Sequence, residues 1–92
     1  MAGVTIRLPG LLAQLIGGAR VIPVSASTVG QALEALFAAH PELRVHVTDE
    51  TGAVRPHVSC FHGDRRVEGS GGLERPLDEG DDIVILQAVS GG

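Results

Sequence analysis

The 92-residue chain contains no lysine; its seven basic residues are all arginine. That absence excludes a phosphate-loop lysine, a Schiff-base lysine and any side-chain amine able to accept an isopeptide bond. A GC-rich genome that favours Arg codons accounts for the same bias without invoking function. Tryptophan and tyrosine are also missing, and Phe37 and Phe61 are the only aromatics. The core must therefore be aliphatic. Cys60 is the one cysteine, which leaves no internal disulfide and no cysteine framework for zinc or an iron–sulfur cluster. No apolar run approaches the roughly 20 residues of a membrane span. Met1 to Arg7 has neither the basic nor the long apolar region of a secretory signal. A cytoplasmic protein with no membrane partner is expected. The formal net charge is −4, so the basic face that nucleic-acid binding requires is not expected either.

What is present suits one small globular domain, with 43% hydrophobic and 20% charged residues. Val4-Thr5-Ile6-Arg7-Leu8 alternates as a half-buried strand does. Gly17-Gly18 marks a turn, and Val21-Ile22-Pro23-Val24 reads as a second strand, placed at a sheet edge by its proline. Thr28 and Gln31 form a capping box, and Val29, Ala32, Leu33, Leu36 and Phe37 then make one apolar helical stripe that Pro41 stops. The stretch from Glu42 to Val54 reads as a loop holding a helical turn. Val58 to His62 is a third strand, and Arg66-Val67-Glu68 can pair back on it. Gly69-Ser70-Gly71-Gly72 reads as a loop, Glu79-Gly80-Asp81 as a turn, and Ile83 to Ala88 as the last strand.

This order predicts an α+β, β-grasp domain over residues 1–88: a mixed sheet of about five strands with one main helix on one face. A short arm, residues 89–92, follows. The last strand is apolar on both faces over its first four residues, which suits a central, doubly covered position. Val84, Leu86 and Ala88 can point one way, leaving Ile83 and Ile85 on the other. No helix remains for that second face. Either it forms an exposed apolar patch for a partner, or the segment from Leu43 to Val54 covers it.

Side-chain chemistry is sparse. His57, Cys60 and His62 are close in sequence, but on a strand only Cys60 and His62 share a face, too few ligands for structural zinc. Asp78-Glu79 and Asp81-Asp82 flank a turn glycine and read as solvated. Gly69-Ser70-Gly71-Gly72 lacks the spacing of a dinucleotide loop, because Glu74 holds the third glycine position. Attention shifts to the end of the chain. Val89-Ser90-Gly91-Gly92 follows the most hydrophobic strand, and Gly-Gly combines backbone freedom with the slimness needed to enter a narrow channel.

Pro76-Leu77-Asp78-Glu79-Gly80-Asp81-Asp82-Ile83-Val84-Ile85-Leu86, the terminal Ala88-Val89-Ser90-Gly91-Gly92 and the earlier Ser70-Gly71-Gly72-Leu73 together resemble the MoaD/ThiS family of ubiquitin-like sulfur carriers. Gly52-Ala53-Val54-Arg55-Pro56-His57-Val58 is similar to the family's entry into its third strand. Within the family, the Ser-Gly-Gly-Leu segment looks most like actinobacterial carriers for cysteine biosynthesis. Gln87 stands where many members have proline, and His62-Gly63 where many have Asn-Gly.

The resemblance implies a co-substrate and not an enzyme. An E1-like partner would spend ATP to adenylate the Gly92 carboxylate, and sulfur would displace AMP to leave a thiocarboxylate. No cofactor would be bound by the chain itself. Gly91 and Gly92 would carry the chemistry, on an arm mobile until bound. Val89 and Ser90, with Ile83, Ile85 and Phe61 on the folded body, would contact partners, including a sulfur-accepting synthase that makes cysteine, molybdopterin or a thio-natural product. A carrier without lysine could not build lysine-linked chains on itself. The competing expectation is a noncatalytic β-grasp subunit that docks a partner through its open sheet face.

Overall fold

A computed structural model of the protein describes residues 1–87. The strands are β1 (Ala2–Arg7), β2 (Val21–Ala26), β3 (Val58–His62), β4 (Arg65–Arg66) and β5 (Asp82–Gln87). They form one mixed sheet in the order β2-β1-β5-β3-β4. β1 runs antiparallel to β2 and parallel to β5, and β5 runs antiparallel to β3. Pro23 does lie on an edge strand, where its missing N–H costs no ladder bond. This is the β-grasp arrangement.

The main helix, α2 (Val29–Ala39), covers one face. Its cap is close to the sequence reading. The Thr28 side chain accepts the Gln31 N–H at 3.2 Å. The Gln31 side chain reaches back to the Ser27 N–H at 3.0 Å, one residue earlier than a standard capping box. Val29, Ala32, Leu33, Leu36 and Phe37 are all buried. They meet Val4 and Ile6 of β1, Val58 and Cys60 of β3, and Ile83 and Ile85 of β5 in a single core.

The connections hold more helix than the sequence suggested. Between β1 and β2 lie α1 (Gly10–Ala13) and a 3-10 turn at Gln14–Ile16, so the two strands are not joined by a tight hairpin. Gly17 and Gly18 both have positive φ, which ends that turn and redirects the chain into β2. After α2 come a 3-10 turn at Pro41–Leu43 and α3 (Arg44–Val47). Leu43 and Val47 are fully buried in the common core while Val45 is exposed, a helical spacing and not a strand alternation. The segment therefore packs with the helix layer.

Residues Gly69–Leu73 form a helical turn, α4, where a loop was expected. Close packing explains one of the glycines there, Gly72, and Gly30 of α2 opposite it. A Cβ on Gly72 would come within 3.0–3.2 Å of Val67, much of it backbone, and one on Gly30 would come within 3.1 Å of the Leu73 carbonyl. β4 starts one residue earlier than read and stops two earlier, at Arg65–Arg66.

Candidate functional site

β5 is the element that leads to the chain end, and its neighbours decide which of its side chains face out. Ile6 pairs with Ile83 and Cys60 with Ile85, and all four are buried. Ile83 and Ile85 thus point beneath α2 and cannot offer a docking surface. This corrects the expected assignment: side chains alternate across a strand, so burying these two turns Val84 and Leu86 outward. The last strand is central, as expected, but only one of its faces is covered. Phe61 lies on the open face, opposite to Ile83 and Ile85, partly exposed beside Val84, its partner in register. Leu86 is 48% exposed.

Cross-strand register draws a row over this open face. Val21 lies opposite Arg7, Arg7 beside Val84, Val84 beside Phe61, and Phe61 beside Arg66. Residues directly opposite one another share a face. Neither Arg7 nor Arg66 was singled out from the sequence. The polar members of β1, Thr5 and Arg7, alternate with Val4 and Ile6 and were the signal for them.

The start of β5 is held by the acidic turn before it. Asp81 Oδ2 accepts the Asp78 N–H at 2.8 Å and lies 2.7 Å from His62 Nε2. These contacts, the Asp78 N–H first and His62 second, hold the Asp81 carboxyl below the usual carboxylate range. Glu79 accepts the Gly3 N–H at 2.8 Å, and the Gly80 N–H bonds to the Gly3 carbonyl at 2.8 Å. The turn read as merely solvated therefore clamps β5 against β1 and β3.

Cys60 faces the core, and burial pushes its thiol up to about 11. At neutral pH it is a protonated, enclosed thiol and a poor nucleophile. Among the described residues, no group of three or more His, Cys, Asp and Glu side chains is placed to hold a metal ion. None of the described helices is long and apolar enough to cross a membrane. A cavity of about 330 Å³ lies under the 51–56 loop, walled by Val54, Pro56, Val58, Val67 and Leu73 with Arg55, Arg66 and Glu68 among its polar lining. Among the described residues, no cysteine or histidine lines it.

At its far end β5 pairs Gln87 with Val58, and Gln87 is the last residue described. Ala88 and the expected site residues Val89, Ser90, Gly91 and Gly92 lie outside the described residues. What the fold defines is a β-grasp body with its cysteine buried and an apolar, arginine-bearing sheet face left open.

Comparison with known proteins agrees with that class. The ThiS family profile matches residues 6–92, and the chain belongs to this family. It is 31% identical over 91 residues to the sulfur carrier protein CysO of Mycobacterium tuberculosis, covering 97% of this chain and 98% of that one. It is similar in structure to the Amycolatopsis orientalis BexX/CysO complex, with a TM-score of 0.85, 28% identity, and 97% and 99% of the two chains covered. Small archaeal modifier protein 1 from Haloferax volcanii gives a TM-score of 0.84 at 29% identity, over 99% of this chain and 100% of that one.

Proposed function

We propose that this protein is a sulfur carrier whose working group is the carboxylate of Gly92. The observation that carries the reading is a family match that runs through the last residue and so includes Gly91 and Gly92. A free carboxylate resists nucleophilic attack. An E1-like enzyme using ATP would convert it to an acyl adenylate, releasing pyrophosphate. A sulfur nucleophile then attacks the carbonyl carbon, AMP departs with the C–O bond electrons, and a thiocarboxylate remains. Its sulfur is a stronger nucleophile than the oxygen it replaced, and a sulfur-accepting synthase would use it.

The chain's own contributions are physical. Val89, Ser90, Gly91 and Gly92 follow β5 in the sequence, and the clamp at the start of β5 fixes the direction of that strand. Cys60, enclosed and protonated, does not compete for sulfur. The protein is thus a co-substrate. A M. tuberculosis relative is named a sulfur carrier and an A. orientalis one was solved in complex with BexX, which supports a carrier role and a protein partner here. The chemistry suits the cytoplasm, where ATP is available.

ATP–pyrophosphate exchange with the host's E1-like enzyme tests this reading. Deleting Gly91 and Gly92, or adding one residue after Gly92, is expected to abolish exchange. Exchange at the wild-type rate in either variant overturns it and favours the second reading, a binding module. That reading draws on the exposed Leu86 beside Val84 and Phe61, and under it truncation leaves partner binding intact.

A further inference from the structure

The cavity under the 51–56 loop lies at the root of the chain's last segment. Val58 forms part of its wall and pairs in register with Gln87, the last residue described. Directly opposed residues share a face, so the Gln87 side chain lies with Val58 on the inner side of the sheet. Its Oε1 is buried and has no hydrogen-bond partner among the described residues. A buried acceptor left unpaired is costly, and nearly all find a donor. Five residues follow Gln87, each with a backbone N–H, and Ser90 adds a hydroxyl.

Charge at the cavity suits a carboxylate. Its ionisable lining residues are Arg55, Arg66 and Glu68. Glu68 lies 3.7 Å from Arg66 and offsets it. Arg55 is tied at one atom: its Nε donates to the Val45 carbonyl at 2.7 Å. Among the described residues it forms no ion pair within 4 Å. Asp49, the acid near enough to feel its charge, already accepts the Thr51 and Ala53 N–H groups at 2.8 and 3.2 Å. The two Nη groups of Arg55 remain, and arginine binds a carboxylate best through a pair of N–H donors.

The distances also allow it. Ladder partners such as Gln87 and Val58 have Cα atoms about 5 Å apart. The Val58 N–H bonds to the Arg55 carbonyl at 2.9 Å, closing a turn whose ends are under about 7 Å apart. Five residues extend to about 17 Å, more than the roughly 12 Å to be covered.

We propose that in the free protein residues 88–92 fold back over this cavity, with the Val89 side chain against Val54 and Leu73 and the Gly92 carboxylate on Arg55, so that the carboxylate is withheld until the activating enzyme draws the arm out. The withholding rests on the carrier reading; the fold-back does not. A ligand that can bind only the undocked fraction has its apparent affinity reduced by that fraction.

The experiment pairs NMR of the free protein with the kinetics of its adenylation, on wild type, Arg55→Gln and Arg55→Lys. Thermal unfolding checks that each variant folds. Both variants lose the Nε bond to Val45, but only the glutamine loses the charge. The expected result is a set of NOEs from the Val89 methyl groups to those of Val54 and Leu73, present in wild type and Arg55→Lys and lost in Arg55→Gln. Adenylation of Arg55→Gln should show a KM about two- to tenfold lower with kcat within about twofold, tenfold corresponding to an arm docked about nine-tenths of the time. An arm without these NOEs in wild type overturns the fold-back while leaving the carrier reading standing. Loss of the NOEs in both variants alike overturns the ion pair with Gly92. A docked arm with an unchanged or raised KM in Arg55→Gln overturns the withholding. A docked arm that is never adenylated, by an enzyme active on a control carrier, overturns the carrier reading and leaves the fold-back.

Discussion

The two faces of one sheet have been given opposite tasks, and β5 shows the division within six residues. Ile83 and Ile85 are fully buried against the helix layer, whereas Val84 and Leu86, equally apolar, face outward. Hydrophobicity alone does not separate them. What separates them is which face α2 covers, and a helix with five buried side chains can cover only one. The inner face holds the fold together by burial, and the outer face leaves apolar area available to a partner.

The largest expected effect breaks the inner face. Ile85→Ala removes buried methyl groups beneath α2 and should destabilise the domain by about 2–5 kcal/mol in urea unfolding. Leu86→Ala, one residue on, should stay within about 0.5 kcal/mol of wild type, because the residue is already half in water. Equal losses at the two sites would contradict the division. Gly72→Ala should come next, at about 1–3 kcal/mol, since its Cβ meets Val67 backbone atoms that have little freedom to move.

A pH experiment sharpens the comparison at the turn that sets β5 in place. Asp81 has a lowered carboxyl pKa in the fold, through the Asp78 N–H and then His62. A depressed carboxylate contributes stability above its unfolded value, near 3.9, and loses it as the pH falls through the lower folded value. Asp81→Asn should therefore lower the denaturation midpoint at neutral pH, with the gap from wild type closing progressively below about pH 4. A gap that persists undiminished in acid would show that the residue acts through shape alone. The smallest effect concerns Cys60, whose thiol is raised to about 11 by burial. Ellman's reagent should label it only on unfolding, and Cys60→Ser should leave sulfur loading unchanged. Rapid labelling of the native protein would contradict its enclosure.

These contrasts also show what could be read without coordinates. The helix was legible because a capping Thr28, a 3.6-residue stripe and Pro41 all agree on one element. The strands were legible from alternation and from glycine punctuation. The facing of β5 was misread because Ile-Val-Ile-Leu offers apolar side chains to both faces, and pairing with Ile6 and Cys60 decides between them. Asp82 was the overlooked signal: it shares a face with Val84 and Leu86, and a charged residue at the strand's start marks the side open to water. α4 was illegible for a different reason. A run of Gly69, Gly71 and Gly72 has low helix propensity, and only the close approach of Gly72 to Val67 and of Leu73 to Gly30 marks the segment as packed. Of the expected docking residues, Ile83 and Ile85 are buried, while Phe61 lies on the open face with Val84 and Leu86.

The central proposal is that sulfur is carried at Gly92. It is tested most directly by intact mass and peptide mapping after incubation with ATP, a sulfide source and the host's E1-like enzyme. The account predicts one oxygen-to-sulfur exchange, localised to Gly92 and unaffected by Cys60→Ser. An unchanged mass, with the same enzyme active on a control carrier, or sulfur found on Cys60 instead, would contradict it.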